Sequence, residues 1–191
     1  MKPLIQFADV LDRISDKILV LCRWSTIVVV GTITGIIFVG VFWRYVLGDA
    51  LAWYEESAKY LMMWLVFLAS PIVLKNTGHV AIDNLPRILP ERLKYALYVV
   101  VFTAVLFLLY QFVYHGWGLA LNAWPQKTTS IPISYFWVYL SVPVGSAIMV
   151  VIMVEQWLRA FVGIFDPDAG SLPSYDDVEA HQAVEAKMAG E

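Results

Sequence analysis

Four stretches of the chain are apolar enough and long enough to cross a lipid bilayer, and this feature limits the possible folds more than any other. Three of them contain no charged residue: Trp24–Trp43, Tyr95–Tyr114 and Thr128–Val154. A membrane-spanning helix needs about 20 mostly apolar residues, so each of the three is long enough to span the bilayer. The 60% share of hydrophobic residues in the whole chain also excludes an ordinary soluble domain.

The fourth stretch, Tyr60–Leu74, is uncharged over only 15 residues. It can span a bilayer only if its helix begins near Trp53 and includes the three charged side chains of Glu55, Glu56 and Lys59. We therefore predict an all-α integral membrane protein, a four-helix bundle. Its spans are expected at about 20–43, 53–75, 94–115 and 134–158.

Two further segments have the amphipathic pattern of helices that lie on a membrane surface. Before the first span, apolar residues recur at helical spacing, which predicts an N-terminal amphipathic interfacial helix. A smaller pattern, limited by Pro86 and Pro90, predicts a short interfacial helix in the loop after the second span. The N-terminal apolar positions are Leu4, Phe7, Ala8, Leu11, Ile14 and Ile18, and the polar face carries Asp9, Asp12, Arg13 and Asp16.

The distribution of basic residues predicts the orientation, because Lys and Arg resist translocation. Ten of them lie before the first span, between the second and third spans, or after the fourth, and three lie on the opposite side. Both termini are therefore expected in the cytoplasm. Residues 1–162 should form the membrane domain, and residues 163–191, with seven acidic residues and one Lys, should form a disordered cytoplasmic tail.

Charged residues at the entrance of the second span are the main candidates for function, because ionisable groups at membrane depth need a partner or water. Glu55 and Glu56 suggest a subunit contact or a proton site. Alternatively, Glu55 pairs with Lys59 one helical turn later, with Asp49 as the N-cap. We expect Arg44 to pair with one of the two glutamates, although a snorkelling arginine without a fixed partner is a second possibility.

The remaining chemistry-bearing residues do not form a catalytic, metal or cofactor site. Cys22 is the only cysteine, so no disulfide or paired-thiol centre can form within the chain. His79 and His115 are expected on opposite sides of the bilayer, about 30 Å apart, and cannot share a haem or metal. His79 and Asp83 are spaced to form a local pair instead. We therefore expect neither an enzyme nor a cofactor-binding protein.

Small residues and prolines indicate how the helices pack. Gly31 and Gly35 form a GxxxG pair in the first span, and Ser141 and Gly145 form a small-xxx-small pair in the fourth. Pro71 and Pro143 are expected to kink their helices. The spans contain neither a mid-membrane charge nor an internal repeat that would build a midplane substrate site. The chain is therefore not expected to transport a substrate alone.

The segment from Phe42 to Pro90 resembles the small membrane subunit of TRAP (tripartite ATP-independent periplasmic) transporters, the DctQ-like family. The resemblance extends over about residues 10–162 and includes Pro132 before the fourth span. Its shared elements are Arg44-Tyr45 after the first span, Trp53-x-Glu55-Glu56 at the start of the second, and Gly78-His79 followed by Asp83.

The resemblance implies a small permease subunit in the bacterial inner membrane, a scaffold for a large elevator-type subunit. Uptake of organic acids would be coupled to sodium in the large subunit and fed by a periplasmic solute-binding protein. Membrane lipid is the other expected partner, and nucleic acid is not one. The alternative is a four-span structural or assembly protein with no transport partner. The candidate interface positions are Arg44, Tyr45, Trp53, Glu55, Glu56, Lys59, His79 and Asp83.

Overall fold

The structure is a computed structural model that describes residues 2–49, 51–77 and 91–165 of the chain. Within these residues, four helical segments are long and apolar enough to cross a membrane, and an isolated antiparallel bridge joins Lys127 to Ser134. The prediction of an all-α membrane bundle with four spans is therefore confirmed. The elements are α1 (Lys2–Phe42), a π-helical turn (Trp43–Leu47), α2 (Ala52–Thr77), α3 (Glu91–Asn122), α4 (Phe136–Tyr139) and α5 (Ser141–Phe165).

The predicted N-terminal amphipathic segment is helical, but it is continuous with the first span. Helix α1 contains 41 residues, which corresponds to a length of about 62 Å. Pro3 lies in the first turn, where a proline is tolerated, and no other proline follows in α1, so helical propagation continues without interruption. The interfacial segment is therefore the N-terminal part of one long helix rather than a separate element.

A glycine ends the first span. After the π-helical turn, Gly48 adopts φ +70°, in the left-handed region where a Cβ atom is unfavourable. This is the usual way in which a helix C-terminus is closed. The chain then turns back, and α2 begins at Ala52. Since α2 begins three residues after Asp49, the predicted N-cap at Asp49 is wrong.

Helix α5 is the centre of the bundle, because α1, α2 and α3 all pack against it. Two glycines of α5 permit close approaches to its neighbours: a Cβ atom at Gly145 would lie 2.6 Å from the Phe67 carbonyl oxygen on α2, and Gly163 lies against the Tyr95 ring on α3. The interior between α3 and α5 is apolar. The buried residues there are Tyr98, Phe102, Leu109, Met149, Met153 and Ala160.

The fourth span is interrupted near its beginning, as expected from Pro143. A proline has no N–H to donate to the carbonyl four residues earlier, so the helix divides into α4 and α5 at Leu140. Next to this break, the Ser141 hydroxyl donates to the Val138 carbonyl at 2.8 Å. Helix α2, in contrast, remains helical through the buried Pro71.

Some predictions fall outside the described residues. They are the short interfacial helix after the second span, the roles of His79 and Asp83, and the acidic tail beyond Phe165.

Candidate functional site

The ion pairs among the described residues lie at the two ends of the bundle. We call the end that carries the α1–α2 and α3–α4 connections the hairpin end, and the opposite end, where α1 begins and α5 finishes, the terminal end. The apolar cluster between α3 and α5 separates the two ends. Each end therefore has its own polar site.

The carboxylate of Glu56 connects α2 to the loop between α3 and α4. The backbone N–H of Ser130 donates to its Oε2 at 2.7 Å, and that of Thr129 donates to Oε1 at 3.2 Å. The Tyr60 hydroxyl, one turn later on α2, also donates to Oε1. With hydrogen bonds to both of its oxygens, this carboxylate is held against the loop.

The loop that Glu56 contacts has an ordered backbone. Thr128 N–H donates to the Ile133 carbonyl at 3.0 Å, and Tyr135 N–H donates to the Gln126 carbonyl at 3.0 Å. The Ser134 hydroxyl closes the base of the loop with a bond of 2.8 Å to the Trp124 carbonyl. The result is a preformed surface on which several residues are exposed. They are Trp124, Lys127, Thr129, Ser130, Pro132, Ile133 and Trp137.

The expected Arg44–Glu55 pair is present, at 3.7 Å between Nη1 and Oε1. The Tyr54 hydroxyl also donates to Glu55, at 3.0 Å. The Tyr54 ring of α2 is buried directly against Gly40 of α1, so the two helices of the first hairpin pack closely at this point. The alternative Glu55–Lys59 pair does not form. Glu55 contacts Arg44 and Tyr54 instead, and the Lys59 side chain is exposed.

The structure therefore brings together part of the predicted set. Arg44 and Glu55 form one contact, and Glu56 forms another with the α3–α4 loop. Tyr45 and Trp53 are exposed at the same end of the bundle. A hydrogen bond of 3.0 Å from the Trp64 indole N–H to the Trp137 carbonyl joins α2 to α4 as well.

A larger ionic cluster lies at the terminal end. Lys75 Nζ, near the end of α2, lies 2.7 Å from a carboxylate oxygen of Asp12 and 2.7 Å from one of Asp16, both on α1. Glu155 on α5 lies 3.9 Å from the same ammonium group. Lys75 therefore connects three helices.

Arg159 on α5 makes the complementary set of contacts. Its Nη2 lies 3.3 Å from Asp12 and 3.5 Å from Asp9, and its Nε donates to Glu155 at 2.9 Å. Glu155 is only 4% exposed, so its charge requires these cations nearby. Two cations and four carboxylates thus attach the N-terminal part of α1 to α2 and α5.

This terminal cluster was not predicted. The sequence pattern predicts the acidic residues of α1 on the polar face of an interfacial helix, whereas the structure places them against Lys75 and Arg159. Two signals were available in the sequence: the spacing of Asp9, Asp12 and Asp16, which places them on one side of a helix, and the Glu155–Arg159 pair at i, i+4. Neither signal identifies a partner that is about 60 or 150 residues away along the chain.

Comparison with known proteins gives a family match. The family described as "Tripartite ATP-independent periplasmic transporters, DctQ component" matches residues 33–163. The chain is also similar to the sialic acid TRAP transporter small permease protein SiaQ of Vibrio cholerae, with 29% identity over 113 residues that cover 59% of this chain and 65% of that protein.

For two other relatives, the region aligned with this chain covers very different shares of the relative's own length. The C4-dicarboxylate TRAP transporter small permease protein DctQ of Vibrio cholerae is 25% identical over 187 residues, which cover 84% of this chain and 79% of that protein. The isethionate TRAP transporter permease protein DctMQ of Oleidesulfovibrio alaskensis is 27% identical over 109 residues, or 56% of this chain. The chain spans only 17% of the length of that longer protein.

Proposed function

The chain belongs to the DctQ family of TRAP transporter components, and on this premise we propose that it is a small permease subunit acting as a static scaffold. A large membrane subunit would carry the substrate, and a periplasmic solute-binding protein would deliver it. The small subunit would anchor the large one in the bilayer and offer part of the surface on which the binding protein docks.

The observation that carries this proposal is the division of the molecule into two fixed polar ends and an apolar middle. At the hairpin end Glu56 anchors the α3–α4 loop, and at the terminal end Lys75 joins α1 to α2. Between the ends, the space between α3 and α5 is filled by side chains such as Phe102 and Met153. Helices fixed at both ends favour an anchoring role over a moving one.

The outer surface of α1 supports the need for a membrane partner. Few residues of its apolar window are buried within the chain, and large side chains such as Val28 and Phe38 are exposed along it. Gly31 and Gly35, which the sequence suggested as a packing pair, have no other atom within 4 Å of a Cβ position. This surface is available to lipid and to a large subunit.

We further propose organic acids as the substrate class and sodium as the coupling ion in the large subunit. The relatives are named for isethionate, sialic acid and C4-dicarboxylates, which are all organic acids. The match to a small part of a longer permease protein is consistent with a small unit that works beside a larger one. By the basic-residue bias, the terminal end would face the cytoplasm of a bacterial inner membrane.

Uptake into proteoliposomes tests the proposal. Radiolabelled organic acids would be offered under a sodium gradient to three preparations: this chain alone, the chain with its large subunit, and both with the binding protein. Uptake that requires all three components is the expected result. Uptake by this chain alone would overturn the scaffold proposal, and absence of any association with a large subunit would favour a structural protein without a transport partner.

A further inference from the structure

The part of α1 that extends beyond the uncharged span has two different sides. One side carries Asp9, Asp12 and Asp16, which face Lys75 and Arg159 of the bundle. The other side is exposed, and we call it the outer face of α1. It consists of Phe7, Val10, Arg13, Ile14, Lys17 and Leu21.

The outer face combines basic and large apolar side chains. Arg13 and Lys17 are one helical turn apart and exposed, and neither forms an ion pair within the described part of the chain. Phe7, Val10 and Leu21 are each more than half exposed on the same side of the helix. Asp9, Asp12 and Asp16 contact Lys75 and Arg159, so among the described residues no carboxylate is paired with Arg13 or Lys17.

The length of α1 brings this face towards the membrane surface. Helix α1 is about 62 Å long and the hydrocarbon core of a bilayer is about 30 Å thick, so the turns that precede the uncharged run Trp24–Trp43 reach the headgroup region.

From these observations we propose that the outer face of α1 binds the headgroups of anionic phospholipids, with Arg13 and Lys17 contacting the phosphates. The apolar neighbours would enter the acyl region and place the two cations at headgroup depth. The complementary ligand is negatively charged and amphiphilic, because this face presents basic and apolar groups together. Each basic side chain near an anionic membrane surface increases the association constant for the lipid roughly fivefold.

Electron paramagnetic resonance with spin-labelled lipids tests this inference on the full chain. The protein would be reconstituted in phosphatidylcholine bilayers that contain spin-labelled phosphatidylglycerol or spin-labelled phosphatidylcholine, and the protein-bound fraction of each would be measured. We expect a several-fold preference for phosphatidylglycerol that decreases as salt is added. The Arg13→Gln/Lys17→Gln double variant should lose most of the preference.

Three comparisons separate lipid recognition from a general effect. Lys127→Gln removes an exposed cation at the hairpin end and should leave the preference unchanged. An Arg13→Lys/Lys17→Arg exchange keeps both charges and should retain it. Thermal unfolding of the double variant should match that of the wild type, because neither cation takes part in the ionic cluster among the described residues.

Equal association of both lipids with the wild type, or a preference that survives in the double variant, would overturn the proposal. Loss of large-subunit copurification in the double variant, with no lipid preference in the wild type, would assign the face to a protein and also overturn it. The measurement needs neither the large subunit nor transport, so its failure would not bear on the proposed function.

Discussion

The ammonium group of Lys75 lies 2.7 Å from Oδ1 of Asp12 and 2.7 Å from Oδ1 of Asp16, which joins the end of α2 to the N-terminal part of α1. The Lys75 side chain is only 20% exposed, so this contact is better shielded from water than a surface ion pair. Together with Arg159 on α5, Lys75 attaches the N-terminal part of α1 to the bundle. This attachment matters because α1 buries few of its apolar residues within the chain.

Replacing Lys75 by Met should destabilise the chain by about 1–3 kcal/mol, because the substitution leaves carboxylates near one another without their cation. The measurement is the thermal unfolding midpoint of the purified chain in detergent. Lys59→Met is the matched control, since Lys59 is on the same helix and exposed. If both variants unfold at the wild-type midpoint, Lys75 does not stabilise the bundle.

Replacing Glu56 by Gln should loosen the α3–α4 loop, because the amide cannot provide two charged acceptors for the Thr129 and Ser130 N–H groups. We expect hydrogen exchange at these two amides to accelerate roughly tenfold. Glu55→Gln changes the adjacent carboxylate, which contacts Arg44 and Tyr54, and should leave the exchange unchanged. Similar acceleration in both variants would mean that the loop responds to charge in general.

Gly145→Ala should force α2 and α5 apart, because the new Cβ atom would lie 2.6 Å from the Phe67 carbonyl oxygen. Overpacking of this kind costs about 1–3 kcal/mol, and backbone atoms can relax less than a flexible side chain. Gly31→Ala and Gly35→Ala are the controls, since no atom lies within 4 Å of their Cβ positions. The thermal unfolding midpoint of the chain without a partner distinguishes Gly145→Ala from the two control variants. An equal loss of stability in all three variants would contradict the close approach of α2 to α5.

Replacing Arg44 by Ala should alter assembly more than stability. Arg44 and Glu55 are 3.7 Å apart and both more than half exposed, and such pairs contribute little to folding. We expect an unchanged unfolding midpoint together with reduced copurification of the large subunit. A midpoint that falls as much as in the Lys75→Met variant would show instead that Arg44 has a structural role.

Part of the hairpin-end site could be predicted from the sequence. Arg44 and Glu55 are separated by a short turn between two predicted helices, so their proximity follows from local connectivity. The bonds from Glu56 to Thr129 and Ser130 could not be predicted in this way, because they join residues more than 70 positions apart. For the same reason, the sequence does not predict the contacts of Lys75 with Asp12 and Asp16 on α1.

The sequence by itself determined the helices and the class of the protein. A run of about 20 apolar residues and the hydrogen bonds within a helix are both local properties, and they require no knowledge of the neighbours. Only the tertiary structure decided which side of each helix faces another helix. Membrane spans are apolar on all sides, since lipid and helix interiors accept the same residues, so their pattern does not reveal the packed face. That is why Gly145 is packed and Gly31 is not, although both belong to similar motifs.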